Sequence, residues 1–156
     1  GVLVITGGPG TGKTTTINTI IRYYEKEGLD FCLAAPTGRA AKRMSQVTGR
    51  DAKTVHRLLG AQMVGNTHTF SRDEENPLDC DVIILDEASM VDTSLMASFL
   101  RAVKPGGRII LSGDSDQLPS VGAGNLLKSL ILKIRQKKQL SKKQKAITEK
   151  RVFTRL

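Results

Sequence analysis

The apolar positions of this chain fall into short unbroken runs, separated by stretches with helical period. Val2-Leu3-Val4-Ile5, Phe31-Cys32-Leu33-Ala34-Ala35, Val82-Ile83-Ile84-Leu85 and Arg108-Ile109-Ile110-Leu111 are such runs. Lack of alternation is the mark of a strand buried on both faces. Thr14 to Tyr24 carries Ile17, Ile20 and Ile21 at helical spacing, with Gly28 as a helix stop. Ala40 to Val47 predicts a second helix, with Lys42 and Arg43 on its exposed side. Thr54 to Leu59 predicts a short helical turn capped by Thr54. Residues 60–80 are polar and aperiodic and contain Asn76-Pro77, so they read mostly as loop, with a hairpin as the alternative. Asp92 or Thr93 can cap a helix reaching Val103, with Leu95, Phe99 and Leu100 facing inward, and Asn125 to Ile134 predicts a last helix. Strands alternating with helices imply an α/β fold with a parallel sheet covered on both faces. Ligands of such sheets sit at the carboxyl ends of the strands. The polar clusters of this chain all fall there, which predicts a single crevice.

The first of those clusters is Gly7-Gly8-Pro9-Gly10-Thr11-Gly12-Lys13-Thr14, which fits G-x-x-x-x-G-K-[ST], a phosphate-binding loop. A strand precedes it and a helix follows, as that motif requires. Its glycines let backbone N–H groups turn inward, and the helix N-terminus adds partial positive charge. Lys13 would reach the β- and γ-phosphates, and the Thr14 hydroxyl would take a place on Mg²⁺. Gly8, Pro9, Gly10, Thr11, Gly12, Lys13, Thr14 and Thr15 are the candidate nucleotide-binding residues. A dinucleotide fingerprint starting at Gly8 would need glycine where Lys13 stands.

Asp86-Glu87, just past the third apolar run, is the second strong signal. A carboxylate there can hold Mg²⁺ through water, and an adjacent Glu can polarise an attacking water, which favours hydrolysis over transfer to a bulky acceptor. Gln117, after the fourth run, can contact a γ-phosphate or its attacking water. Arg39, Lys42, Arg43, His56 and Arg57 could contact nucleic-acid phosphates. His56 has no Cys or His partner at ligand spacing, so it is not read as a metal ligand.

The chain has 156 residues, enough for one domain with its own core. No run of 18 apolar residues occurs, so no membrane span is expected, and the apolar start is too short for a signal peptide. Cys32 and Cys80 have neither metal nor redox spacing; Cys32 reads as a core residue, and a reducing cytoplasm is the expected setting. The net charge of +9 is uneven. Residues 128–156 hold eleven Lys/Arg and one acid, Glu149, whereas residues 1–127 hold thirteen Lys/Arg and fourteen Asp/Glu. The body is nearly neutral, so net charge alone argues weakly for nucleic acid.

The order of these motifs resembles a known family. Gly7–Thr15, Ala35-Pro36-Thr37-Gly38-Arg39-Ala40-Ala41-Lys42-Arg43-Met44, Thr54–Gly60, Ile84-Leu85-Asp86-Glu87-Ala88-Ser89-Met90-Val91-Asp92 and Gly113–Asn125 resemble motifs I, Ia, Ib, II and III of RecD-like superfamily 1 DNA helicases, with the stand-alone branch most similar. The likeness covers roughly residues 1–131 in order. It implies a RecA-like P-loop ATPase, a three-layer αβα domain with strand order 1-4-3-2. It implies ATP and Mg²⁺ as cofactors and hydrolysis coupled to 5′→3′ movement along single-stranded DNA. By motif position Lys13 and Thr14 bind phosphate and metal, Asp86 holds the metal, Glu87 is the base and Gln117 couples hydrolysis to motion. Thr37, Gly38, Arg39 and the segment Thr54, His56 and Arg57 line the DNA path.

The same resemblance marks departures. Relatives continue into a motif with a catalytic arginine and a second RecA-like domain, a partner absent here, so half of a motor is expected. Such an arginine is worth about 10³–10⁵ in rate in related enzymes. In the basic segment 132–156, Leu140–Ile147 and Arg151-Val152-Phe153 resemble the family's Q motif, displaced from its usual place ahead of the loop, and Gln144 would read adenine. The rival readings are a nucleotide-dependent switch or adaptor without translocation, and a P-loop kinase for a small molecule. The adjacent acids Asp86-Glu87, together with Gln117, speak against the kinase.

Overall fold

In a computed structural model the structure describes residues 1–8, 10–64 and 67–114. Pro9, Gln117, the expected helix over Asn125–Ile134, and the basic segment with Gln144 lie outside the described residues. The elements run β1 (Val2–Thr6), α1 (Lys13–Lys26), β2 (Phe31–Ala35), α2 (Gly38–Thr48), β3 (Ala52–Thr54), α3 (Val55–Leu58), β4 (Ala61–Val64), β5 (Thr67–Phe70), β6 (Val82–Leu85), a 3₁₀ turn (Ala88–Met90), α4 (Thr93–Arg101) and β7 (Arg108–Gly113). Five strands form one sheet in the order β1-β7-β6-β2-β3, and every pairing in it is parallel. The four apolar runs therefore stand first, fourth, third, second, and a short fifth strand extends the sheet beyond β2. The segment 60–80 does form a hairpin, β4 with β5, an antiparallel pair of its own.

The unbroken apolar runs are explained by the two faces they serve. Ile83, Leu85, Ile109 and Leu111 point to one face with Val55, Leu59, Leu95, Met96 and Phe99. Val82, Ile84 and Ile110 point to the other, with Ile17 and Ile21 of α1 and Met44 of α2. The helices thus divide: α1 and α2 cover one side, and α3, the 3₁₀ turn and α4 cover the other, giving three layers. α1 is tied to α2 by the Asn18 amide donating to the Val47 backbone carbonyl at 3.3 Å, and to the segment just after α2 by the Arg50–Glu25 ion pair at 2.6 Å.

Three expectations need correction. The apolar run of β1 predicts burial, but among the described residues β1 lies at the edge of the sheet and pairs with β7 alone, so Val2 and Leu3 are about half exposed. Leu100 was expected to face inward. It is 44 % exposed, because α4 already turns Leu95, Met96 and Phe99 to the sheet and Leu100 falls outside that stripe. Cys32 is half-buried rather than fully in the core. Its thiol accepts a hydrogen bond from Cys80, which holds Cys32 below the ordinary thiol range, while the same bond and burial push Cys80 up. Residues 48 positions apart in sequence meet in space, which spacing rules do not detect.

Capping fixes where the helices start. Asp92 accepts from the Leu95 N–H at 2.8 Å and from the Ser94 hydroxyl at 2.9 Å. The Leu95 N–H is the main reason that its carboxyl is held below the ordinary value of 3.8. A depressed folded value means stability that is fully present above 3.8 and lost as pH falls through the folded value. Asp92→Ala is expected to cost about 1 kcal/mol near neutral pH. The gap between the two proteins should narrow once the pH falls below 3.8. Urea unfolding at a series of pH values measures this; a gap that stays constant down to the acid limit would show that the carboxylate form is not what caps α4.

Candidate functional site

The loop after β1 is shaped by glycine. Gly12 is the N-cap of α1 with φ 79°, a left-handed conformation that costs other residues about 1–2 kcal/mol. At Gly7 a Cβ would run into the Thr11 hydroxyl, and that hydroxyl donates to the Gly8 carbonyl at 2.8 Å. Among the described residues no side chain caps the α1 N-terminus, which leaves its first N–H groups suited to an anion. The Lys13 ammonium folds back over the loop and donates to the carbonyls of Gly7 and Gly8, the latter at 2.9 Å. Its charge is held by the loop it would serve.

The second component comes from β6. The Asp86 N–H donates to the Ala34 carbonyl at 2.9 Å, which carries the β2–β6 ladder one residue further and fixes Asp86 at the strand end. The chain then turns sharply. Glu87 has φ 51° and ψ 36°, and among the described residues no other non-glycine has positive φ. Its carbonyl accepts from the Met90 N–H at 2.9 Å and closes the 3₁₀ turn. A left-handed glutamate is strained, and such strain persists where surrounding structure demands it, commonly at functional sites.

These parts enclose one cavity of about 410 Å³. Gly8, Gly10, Thr11, Gly12, Lys13 and Thr14 line it, with Asp86, Glu87 and, from the end of β7, Gly113 and Asp114. Ile17 of α1 and Ala40, Arg43, Met44, Val47 and Thr48 of α2 complete the wall. The structure so brings together the loop and the acid pair. Thr15 is exposed and stands outside this wall. Arg43, grouped in the sequence with phosphate contacts for nucleic acid, faces this cavity instead. No sequence signal separated it from Arg39 and Lys42, because helical phase depends on the α2 boundary.

The remaining candidates gather elsewhere. Ala35 of β2 and Thr54 of β3 are in register, so the Thr37 loop and α3 start from neighbouring strand ends. Thr37 caps α2 by accepting from the Ala40 N–H at 3.2 Å, and Thr54 caps α3 by accepting from the Arg57 N–H at 3.2 Å. Each hydroxyl keeps its own O–H to donate outward. Gly38, Arg39, His56 and Arg57 are exposed. The His56 ring lies 6.1 Å from that of Phe70 and lines a second cavity of about 790 Å³, with Arg72, Asp92 and Arg101. Of these candidates only His56 lines either cavity, and its cavity is separate from the one shared by the loop and the acid pair. Among the described residues no group of three or more His, Cys, Asp or Glu could hold a metal by itself, and no helix is long and apolar enough to cross a membrane.

The profile of a family described as AAA domain matches residues 1–123. The chain belongs to that family. This AAA domain is 50 % identical to the ATP-dependent RecD2 DNA helicase of Deinococcus radiodurans, over 79 % of the chain and 17 % of the helicase. It is 42 % identical to the RecBCD enzyme subunit RecD of Mycobacterium tuberculosis, over 84 % of the chain and 26 % of the subunit. The structure of Bacteroides sp Pif1 in complex with ADP-AlF4 matches with a TM-score of 0.53 and 28 % identity, over 85 % of the chain and 32 % of Pif1. The chain therefore spans less than a third of the length of each of these relatives. It is a helicase ATPase-type domain related to RecD and Pif1, with their mainly parallel α/β fold.

The strain at Glu87 generates a stability prediction. Glu87→Gly should leave stability unchanged or raise it by up to about 1 kcal/mol, because glycine removes the left-handed penalty but adds unfolded-state freedom. Glu87→Val should lower it by about 1–2 kcal/mol, since a β-branched residue tolerates that conformation least. Denaturant unfolding measures both. A glycine variant clearly less stable than the parent would mean that the side chain, not the backbone, holds the turn.

Proposed function

We propose that this AAA domain is the ATP-binding and ATP-hydrolysing core of a DNA helicase or translocase that acts on single-stranded DNA, one part of a longer motor. Residues 1–131 would form the ATPase core and work with a second RecA-like domain. The observation that carries this is the shared cavity: the glycine loop with Lys13 and Thr14 faces Asp86 and Glu87 across one space. A simple phosphate-binding switch needs the loop but not a strained glutamate beside it, which favours hydrolysis over the adaptor reading.

ATP would lay its phosphates along the loop, with the N–H groups of the α1 N-terminus toward them. Lys13 would leave the Gly7 and Gly8 carbonyls for the β- and γ-phosphates. The Thr14 hydroxyl and the Asp86 carboxylate are hard oxygen donors on the same cavity, which suits Mg²⁺, an ion that completes its shell with water and substrate phosphate. Bound there, Mg²⁺ supplies neutralisation of phosphate charge. Glu87 would take the proton of a water attacking the γ-phosphorus; the bond to the leaving oxygen breaks, releasing ADP and phosphate. Gln117 would contact the γ-phosphate or that water, and Gln144 the adenine edge, both by the resemblance alone. The bound ADP-AlF4 of the Pif1 structure agrees with a nucleotide in this cavity.

Single-stranded DNA would pass the other edge, over Thr37, Gly38, Arg39, Thr54, His56 and Arg57. Exposed arginines beside two helix N-termini with hydroxyl caps support phosphate contacts without base reading.

Two measurements test this. Lys13→Ala should weaken Mg²⁺-ATP binding by about 1.5–3 kcal/mol, the scale of a charged hydrogen bond, in calorimetry. Equal affinity in both proteins would remove the basis of the reading. Binding of labelled oligo-dT should fall by roughly sevenfold or more between about 50 and 200 mM salt, as expected for at least two phosphates contacted. Arg39→Ala should lower the log–log salt slope by about 0.7. Binding that ignores salt, or that prefers one base strongly, would count against a phosphate-driven DNA path.

A further inference from the structure

Three carboxylates line the nucleotide cavity beside the loop. They are Asp86, Glu87 and Asp114, and Lys13 is the cation that the loop supplies. A triphosphate adds several further negative charges. Mg²⁺ held by Thr14 and Asp86 would offset part of that charge, and a further cation facing the phosphates would offset more.

Arg43 supplies that cation from outside the loop. It sits on α2, whose Ala41 and Met44 are packed inward, and its stripe continues one turn on to Val47, which also lines the cavity. α2 is tied to α1 by the Asn18–Val47 hydrogen bond, and Arg50, just past the end of α2, pairs with Glu25 of α1, so Arg43 is delivered to this space by a braced helix. Arg43 is exposed and makes no hydrogen bond or ion pair among the described residues. Its guanidinium is therefore a donor fork not committed elsewhere, and such a fork matches phosphate oxygens.

We infer that Arg43 is a ligand-contacting residue of the nucleotide site, donating to the terminal phosphate of a bound nucleoside triphosphate. The inference rests on the reading of this cavity as an ATP site and adds a specificity to it: Arg43 distinguishes triphosphate from diphosphate. Lys13, fixed at the loop, serves both. Arg43 also lies six residues from Thr37, about 9 Å along the helix axis, so the contact falls on the same rigid element as the DNA-facing cap.

The test uses the whole chain and two probes, Mg²⁺ with a non-hydrolysable ATP analogue and Mg²⁺ with ADP, each titrated calorimetrically. Arg43→Ala should lose about tenfold or more for the analogue, the scale of one charged hydrogen bond, and less than twofold for ADP. Arg43→Lys should recover part of the analogue affinity, and Gln46→Ala, exposed on the same helix, should change neither. A general weakening of the fold would lower both probes together, so an equal loss in Arg43→Ala overturns the inference. So does an unchanged analogue affinity in Arg43→Ala alongside a large loss in Lys13→Ala, which would leave the ATP site standing without Arg43. Wild-type protein that binds neither probe removes both readings at once.

Discussion

All five strands of the main sheet run the same way, so each hands the chain to a loop on the same edge. Strand order then decides which loops are neighbours. β1, β7 and β6 lie side by side, and their ends carry the glycine loop, Gly113-Asp114 and Asp86-Glu87. Two strand spacings separate β1 from β6, roughly 10 Å, which leaves room for a phosphate chain and an ion between loop and acids. β2 and β3 lie beyond, and their ends carry Thr37 and α3. With the same strands in another order, the same motifs would not face one another. The parallel ladders β1–β7, β7–β6 and β6–β2 hold that order, and Ile84 toward α1 with Leu85 toward α4 seats the sheet between its helices.

Much of this was legible in the residues, for physical reasons that also mark the misses. Four strands showed themselves because a strand buried on both faces needs an unbroken apolar run. β3 did not, because Ala52-Lys53-Thr54 pairs at an edge and needs only three residues. The exposure of Val2 and Leu3 was hidden for the complementary reason: an edge strand can carry the same residues as a central one. The Thr54 and Asp92 caps were readable, since a side-chain oxygen three residues ahead of a helical N–H is a local feature. The acid pair and the loop were readable as motifs, but their meeting depends on strand order, which came from resemblance. What no local rule offers is through-space company. Cys32 with Cys80, and Arg43 with Asp86 and Glu87, are products of packing alone.

Two features of the cavity point to a site poised away from its own lowest energy. Glu87 sits in a conformation that glycine would occupy at lower cost, and the turn it makes is what aims the acid pair at the loop. Lys13 spends its hydrogen bonds on the loop's own carbonyls, groups that a phosphate would compete with. A fold selected for stability alone would relax the first and has no use for the second. Both make sense where charge must be taken up on binding, because a preorganised polar site loses less to reorganisation than a flexible one.

The position of α2 follows from the same topology and joins the two halves of the edge. It leaves β2 at the Thr37 cap, on the side of α3, and runs back beside α1 with Ala40, Arg43, Met44 and Val47 against the nucleotide cavity. One helix of 11 residues therefore spans from the Thr37 cap at its start to the cavity wall at its middle. Its packing leaves little freedom to bend: Met44 and Ala41 are buried, and its C-terminal end is tied to α1 through Val47 and Arg50. A rigid body with two contact points transmits a displacement at one to the other without any intermediate chain of residues. Coupling between sites needs two arrangements of some element that each ligand favours differently. Among the described elements, α2 both carries the Thr37 cap and lines the cavity, whereas the loop and the acid pair border the cavity alone, so a coupling through this domain would be sought first in a shift of α2.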